Sequence, residues 1–274
     1  LSYIVFSKDY PPVEALGISL FHSIAAFNNS GFDILGNYRS LTGYYDNFTL
    51  NIITCVLIFF GGIGFLVIRE LRIKHFHWKK LSMHSRVVIS MSLFLIVSGT
   101  LLIKATENIS WLGAFFLSSS AGLLVVIILM FIGASPGSTG GGIKTSTFFV
   151  LLQGIKSAAT NKSEKAFHYA VPKNAFSKAA IITAIGAAIV LTGTYIMLVL
   201  QPELSFINVF FEVTSAFSTS GLSTGITQQL GMGAKLLSII IMYAGRLGPL
   251  TIVTVWYFSK GERVSYPEGN ISVG

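Results

Sequence analysis

Two short apolar segments that end in small polar residues and a glycine constrain the fold more than any other feature. They are FHSIAAFNNSGF at residues 21–32 and FEVTSAFSTSGL at residues 211–222, and they align without gaps. A membrane-spanning helix needs about 20 apolar residues, so neither segment crosses a bilayer. Because irregular backbone at membrane depth is tolerated only where it lines a polar cavity, the pattern predicts re-entrant segments, each a half-membrane helix followed by extended backbone.

The composition places these segments in a membrane protein. Of the 274 residues, 52% are hydrophobic and only 11% are charged, whereas about 25% of the residues of a soluble domain are charged. The single cysteine, Cys55, lies inside an apolar run, which excludes a disulfide framework and a cysteine zinc site.

The positive charges mark one side of the membrane. The net charge is +8, and most of the 19 basic residues fall in two loops, at 69–86 and 156–178, and in the C-terminal tail. An excess of Lys and Arg marks the cytoplasmic side. These loops lack interleaved stacking aromatics and any nucleic-acid-binding module, so we expect a multi-pass protein of the cell (plasma) membrane that binds no nucleic acid.

The order of apolar runs predicts a repeated unit of helix, re-entrant hairpin and helix. The first re-entrant helix should begin at Pro11 and Pro12, because proline is tolerated in the first turn of a helix. A second should begin near Ser110, but its alignment fails where Val126 stands in place of a filter glycine. We therefore expect a missing segment near residues 118–120. Predicted spanning helices cover residues 48–68, 87–103, 179–200 and 235–258.

A glycine-rich stretch interrupts an apolar helix at residues 133–147. It reads GASPGSTGGGIKTST and combines five glycines with a proline and several hydroxyls. Unwound backbone of this kind is acceptable in a membrane only where it faces a wet pathway. The alternative is a kinked helix that serves packing alone.

The residues before the two glycines have the chemistry of an ion filter. Backbone carbonyls can replace the hydration shell of a monovalent cation, and glycine permits the required backbone conformations. The alternative is a pair of tight turns in helical hairpins. The candidate filter residues are Asn28, Asn29, Ser30 and Gly31 in the first segment and Ser218, Thr219, Ser220 and Gly221 in the second.

Four motifs carry a resemblance to a known family. They are GGIG at residues 61–64, SPGSTGGGIKTST at 135–147, FSTSGLSTG at 217–225 and GRLGPLT at 245–251. Together they resemble the Trk/Ktr/HKT superfamily of potassium transporters, most closely its KtrB-type membrane subunits. The resemblance implies an all-α integral membrane fold of four pseudo-fourfold, K+-channel-like pore units. It also implies that K+ is transported through the filter carbonyls, with Na+ as a further coupling ion.

The family pattern implies the following organisation of an incomplete chain. Residues 1–70 form a second pore unit with most of its first helix missing, and 87–160 form a third unit that lacks its filter. Residues 179–258 form the fourth unit. The stretches 71–86, 161–178 and 259–274 are cytoplasmic loops and tail.

The resemblance also implies a gate. Its residues are Gly137, Ser138, Thr139, Gly140, Gly141 and Gly142 in the glycine-rich loop, with Arg246 beneath the filter, where its charge opposes cation passage. Alternatively, Arg246 bonds carbonyls or an acid such as Glu212 and only fixes packing. Glu212 and His22, at equivalent repeat positions, are expected to be supports of the pore helices.

We predict a transporter and not an enzyme. His75, His77 and His84 are wrongly spaced for a zinc protease helix, and Lys144 does not complete a phosphate-binding loop. The resemblance implies K+ uptake by a homodimer that docks a cytosolic, KtrA-like ring, with nucleotide bound only by that partner. The alternatives are a secondary transporter of another solute with a broken-helix site and a non-conducting membrane scaffold or sensor.

Overall fold

The computed structural model describes residues 1–32, 34–36, 41–44, 46–106, 120–160, 165–167, 169–172 and 174–248. Within these ranges the chain is helical apart from one small hairpin and the connecting loops. The helices are α1 (Ser2–Phe6), α2 (Pro12–Phe27), α3 (Phe48–Gly62), α4 (Phe65–Ile73), α5 (Met83–Thr106), α6 (Ser120–Phe131), α7 (Thr145–Thr160), α8 (Ala175–Leu200), α9 (Phe206–Ser218) and α10 (Met232–Leu247), with short 3₁₀ turns at Thr42–Tyr44, Trp78–Lys80 and Ile226–Gln229.

Two of the described helices are long and apolar enough to cross a membrane. They are Met83–Ala105 within α5 and Ala175–Leu200, each with a mean hydropathy of 2.1. Both leave large apolar side chains exposed, among them Phe94 and Leu191. The pair α3 and α4 meets the same criteria only when counted as one span. This agrees with a membrane protein.

The span predicted over residues 48–68 is not one continuous helix. Helix α3 ends at Gly62 and α4 begins at Phe65, and the two helices are bent by 97°. Gly64 stands between them with φ +85° and ψ 147°, a conformation open to glycine and closed to other residues. The break therefore follows from the GGIG motif, which hydropathy alone does not register.

The two short re-entrant helices are confirmed as helices. Helix α2 runs for 16 residues and opens with Pro12 in its first turn, and α9 runs for 13 residues. Every residue from 211 to 218 of α9 is buried. The ring of Phe217 is fully buried and stacks on Phe131, with 5.9 Å between the ring centroids. Helix α9 is thus the centre of a core built with α6, α8 and α10.

The first and last units share one packing arrangement. Gly61 of α3 lies directly against the carbonyl of Phe27, and Gly245 of α10 lies in the same way against the carbonyl of Phe217. Three residues further on, Gly64 and Gly248 adopt φ +85° and +86°. Glycine is required at Gly61 and Gly245 because any β-carbon would overlap these carbonyl oxygens. The sequence repeat is therefore also a repeat of backbone geometry.

Several other element boundaries differ from the predictions. Helix α7 begins at Thr145, inside the predicted gate range. Helix α10 ends at Leu247, and the remainder of the span predicted over residues 235–258 lies outside the described residues from 249 onward. The second basic loop contains a two-stranded antiparallel hairpin, β1 (Lys165–Ala166) with β2 (Tyr169–Ala170). The re-entrant helix predicted from Ser110, the expected missing segment beside residues 118 and 119, and the C-terminal tail lie outside the described residues.

The close approach of Gly61 to Phe27 generates a stability prediction. We expect Gly61→Ala, and likewise Gly245→Ala, to lower the free energy of unfolding by about 1–3 kcal/mol, because overpacking forces the backbones apart. Thermal unfolding in detergent measures the change. The matched control is Gly62→Ala, since a β-carbon there meets nothing within 4 Å. Equal losses in Gly61→Ala and Gly62→Ala would contradict the packing argument.

Candidate functional site

The two candidate filter segments, residues 28–31 and 218–221, adopt the same backbone conformation. Asn29 and Thr219 are left-handed, with φ +51° and +53°, and Gly31 and Gly221 follow with φ +67° and +74°. The amide of Ser30 donates to the carbonyl of Ala25 and that of Ser220 to the carbonyl of Ser215, both at 3.1 Å. The preceding amide in each segment donates to the carbonyl three residues before it, also at 3.1 Å, and the two bonds together are the Schellman ending of a helix.

The structure brings the two filter segments together at their glycines. A methyl group built on Gly31 would lie 2.5 Å from the Cα of Gly221 and 2.9 Å from the carbonyl oxygen of Ser220. One built on Gly221 would lie 2.9 Å from the carbonyl oxygen of Ser30. Only glycine fits at either position, and the backbones touch with no gap for an ion between these two residues.

The glycine-rich loop between α6 and α7, residues 132–144, fills the break between α3 and α4. The amide and the hydroxyl of Ser135 both donate to the carbonyl of Gly62, at 3.0 and 2.8 Å. The amide of Phe65 donates in turn to the carbonyl of Gly137 at 3.2 Å. Helix ends leave such backbone groups without partners, and here the loop supplies them.

The same loop lies against both filter segments. On the first, the amide nitrogen Nδ2 of Asn29 donates to the hydroxyl of Thr139 at 2.9 Å. On the second, the amide of Gly141 lies 2.9 Å from the hydroxyl of Thr219 and 3.0 Å from the carbonyl of Ser218. The amide of Gly142 donates to the carbonyl of Phe217 at 3.2 Å. The predicted filter and gate residues are therefore in direct contact.

Two positive charges bind the loop through its carbonyls. Arg246 donates to the carbonyl of Thr139 and, at 3.4 Å, to that of Ser138. Lys144 donates to the carbonyl of Gly140 at 2.6 Å, and the two cations are close enough to repel each other. Lys74 and Glu70 form the one ion pair among the described residues. Neither Arg246 nor Lys144 therefore has a carboxylate partner in that part of the chain. Arg246 thus bonds carbonyls, and the alternative pairing with Glu212 is wrong.

Lys144 is a site residue that sequence reasoning did not assign. It is the only charged residue in the glycine-rich interruption. A charged side chain within an apolar segment is a functional candidate by default, and that signal could have found it.

Glu212 of α9 and His22 of α2 both hydrogen-bond neighbouring parts of the chain, and their role as supports of pore helices stays a prediction. Glu212 is buried and accepts hydrogen bonds from the hydroxyls of Ser223 and Thr227, the latter at 2.9 Å. These bonds fix the chain that leaves the second filter segment. His22 bonds Thr54 of α3 through Nε2 at 2.9 Å. Among the described residues, His, Cys, Asp and Glu side chains form no cluster that could hold a metal ion.

Comparison with known proteins gives the family. The sequence model of the family described as TrkH, cation transport protein, matches residues 4–112 and 117–261. The chain belongs to this family. Ktr system potassium uptake protein B of Vibrio alginolyticus is 32% identical over 93% of this chain. Potassium/sodium uptake protein NtpJ of Enterococcus hirae is 31% identical over 99% of it.

The relatives in this family are longer than the chain. It spans 62% of the Vibrio alginolyticus protein and 67% of the Enterococcus hirae protein. Among solved structures, the potassium transporter TrkH from Vibrio parahaemolyticus superposes with a TM-score of 0.70 over 94% of this chain and 61% of its own. The superposition shows a shared fold, and at 18% sequence identity it shows the fold alone.

The bonds from Arg246 generate a prediction about loop stability. We expect Arg246→Gln to speed amide hydrogen exchange at Gly141 and Gly142 by roughly ten- to a hundredfold, because a hydrogen bond to a charged group contributes about 1.5–3 kcal/mol. Exchange measured by mass spectrometry on the detergent-solubilised protein tests this. Lys235→Gln on the same helix is the control, because Lys235 is exposed. Unchanged loop exchange in Arg246→Gln would show that the arginine does not hold the loop.

Proposed function

We propose that this chain is the pore-forming part of a K+ uptake protein, with residues 28–31 and 218–221 as two walls of its selectivity filter. The observation that carries the proposal is the repeated left-handed backbone that meets at Gly31 and Gly221. Filters of this kind hold a dehydrated cation on rings of backbone carbonyls, and glycine allows the carbonyls to turn toward the ion. K+ is the substrate in this proposal, and Na+ is a candidate coupling ion.

Conduction in this proposal needs further walls and a separation of the two glycines. The alignment with the Enterococcus hirae protein runs over 309 positions, although this chain has 274 residues, so that relative has segments the chain lacks. The family match is also interrupted between residues 112 and 117, beside the place where the sequence predicts a missing filter segment. Both observations support the view that this chain lacks segments its relatives have, and in this proposal those segments supply the other walls of a four-walled filter.

The glycine-rich loop is the proposed gate. It sits against both walls, and Arg246 and Lys144 place two positive charges on its carbonyls. Positive charges beside the path raise the energy of a passing cation, so the loop in this position opposes transport. Displacement of the loop would remove both the obstruction and the Lys144 charge. Glycine at positions 140–142 gives the backbone the freedom for such a movement.

The cytoplasmic surface is the proposed docking site of a regulatory subunit. Three of the relatives are named as parts of a Ktr system. Here Trp78 of the first basic loop packs edge-on against Phe167 of the second, with ring centroids 6.1 Å apart, and Lys79, Lys80 and Lys165 are exposed around them. We propose that a homodimer presents this surface to a KtrA-like nucleotide-binding ring.

Rubidium and potassium flux into liposomes that carry the full-length protein tests the function. We expect flux of K+ and its analogue Rb+ in preference to Na+. Uptake of an organic solute without cation flux would favour the secondary transporter, and no flux of any solute would favour the scaffold. Either result would overturn the proposal.

In the same assay we expect Gly221→Asp to reduce K+ uptake at least about tenfold or to abolish the preference for K+. A side chain there overlaps the backbone of Gly31, and its carboxylate adds a fixed charge to the filter. Gly225→Asp is the control, because Gly225 also has a positive φ but a β-carbon there meets nothing within 4 Å. Membrane insertion should be unchanged in both variants. Unaltered selectivity in Gly221→Asp would argue against a filter at this position.

A further inference from the structure

We propose that Thr139 of the glycine-rich loop is a positioning residue for ion selectivity, in addition to any part in gating. The inference rests on the proposed function, since it assumes that residues 28–31 and 218–221 form a filter. It goes beyond that function because it makes the conformation of the filter depend on the loop beneath it. The loop then controls which ion passes as well as whether any ion passes.

Both filter segments contain a non-glycine residue in the left-handed backbone conformation. Asn29 and Thr219 occupy the left-handed region, with φ +51° and +53°. This region costs most residues other than glycine about 1–2 kcal/mol. Asparagine tolerates it better than most, and a β-branched side chain such as that of threonine is least suited to it. Such conformations persist only where surrounding contacts hold them. The contacts that hold them therefore decide the direction of the carbonyls that follow.

On the first segment the contact that the loop adds to the Schellman bonds is the hydroxyl of Thr139. It accepts a hydrogen bond from Nδ2 of Asn29 at 2.9 Å and lies 3.2 Å from the carbonyls of Phe27 and Gly61. A hydroxyl has one hydrogen to donate and can accept as well, so it serves Asn29 and one carbonyl at once. The backbone amide of Thr139 also donates to the carbonyl of Gly61 at 3.3 Å, so Thr139 lies where the filter residue, the end of α2 and helix α3 meet.

On the second segment the holding contacts come from the loop backbone two residues later. The amide of Gly141 lies within hydrogen-bond distance of the hydroxyl of Thr219, and the amide of Gly142 donates to the carbonyl of Phe217. Phe217 is the repeat equivalent of Phe27, so the loop contacts corresponding carbonyls in both units. The donors of Gly141 and Gly142 are backbone amides, which a side-chain substitution does not remove. The contact of Thr139 is made by its side chain, so a substitution there tests the effect of the loop on the filter directly.

A positioning role and a pure gating role change different measurements. A gate that opens more or less often alters the flux of every permeating cation by the same factor. A filter whose carbonyls are displaced alters the ratio of K+ to Na+ flux, because selectivity depends on how the carbonyl oxygens replace the hydration shell. The ratio is therefore the readout that a gate alone does not move.

The test compares three variants of the full-length protein in liposomes by Na+ and K+ flux. Thr139→Val keeps the shape of the side chain and removes the hydroxyl, and we expect it to lower the K+/Na+ flux ratio by roughly three- to tenfold, the equivalent of one hydrogen bond. Thr139→Ser keeps the hydroxyl and should retain the wild-type ratio. Thr194→Val is the control, because the Thr194 hydroxyl bonds only the carbonyl of Val190 in its own helix.

A second variant keeps the proposal falsifiable if Thr139→Val fails to fold. Asn29→Gly removes the same hydrogen bond from the other side, and glycine adopts the left-handed conformation without strain. It should lower the ratio as Thr139→Val does. A wild-type ratio in a folded Thr139→Val or Asn29→Gly protein, whatever the total flux, would overturn this inference alone. Absence of K+ selectivity in the wild-type protein would instead overturn the proposed function.

Discussion

The rest of the structure depends on the need to satisfy backbone amides and carbonyls inside a membrane, where no bulk water is at hand. Three helices stop within the apolar region, and each stop frees backbone groups. The chain pairs these ends with one another. The loop after α6 donates to the carbonyls that end α3, α2 and α9, and it accepts from the amide that opens α4. A helix end with unpaired backbone groups would be unfavourable inside a membrane. These ends are stable because they hydrogen-bond to the same loop.

Glycine makes this meeting possible, and its positions repeat. Gly61 and Gly245 let a second helix lie on the last carbonyls of a pore helix, and Gly31 and Gly221 let the two filter segments touch. At each of these four positions a β-carbon would overlap backbone atoms, which cannot move aside as a side chain can. The same solution in two units, with matching φ values at Gly64 and Gly248, indicates that the repeat is a physical unit of packing.

The charges of the site fit the same arrangement. Arg246 and Lys144 are bound by loop carbonyls, so their positive charge is oriented but not neutralised. Glu212 could have neutralised one of them. It instead accepts hydrogen bonds from the hydroxyls of Ser223 and Thr227, which fix the chain after residue 221. Hydrogen bonds thus hold one acid apart from two basic side chains around the glycine-rich loop. None of the three charges is cancelled by another.

The sequence by itself determined the membrane class, the family, the short apolar helices α2 and α9 and the glycine-rich interruption between helices, because these follow from the lengths of apolar runs and from local glycine and proline chemistry. It did not determine the 97° bend at Gly64, the contact of Gly31 with Gly221, the place of Lys144 or the partner of Arg246. The glycines at residues 61–64 barely change the hydropathy of the apolar run, so hydropathy does not reveal the bend. The contacts join residues more than a hundred positions apart in several cases, and a carbonyl that accepts a hydrogen bond has no side chain to reveal it. Only the tertiary structure decides which of many identical backbone groups lies within reach.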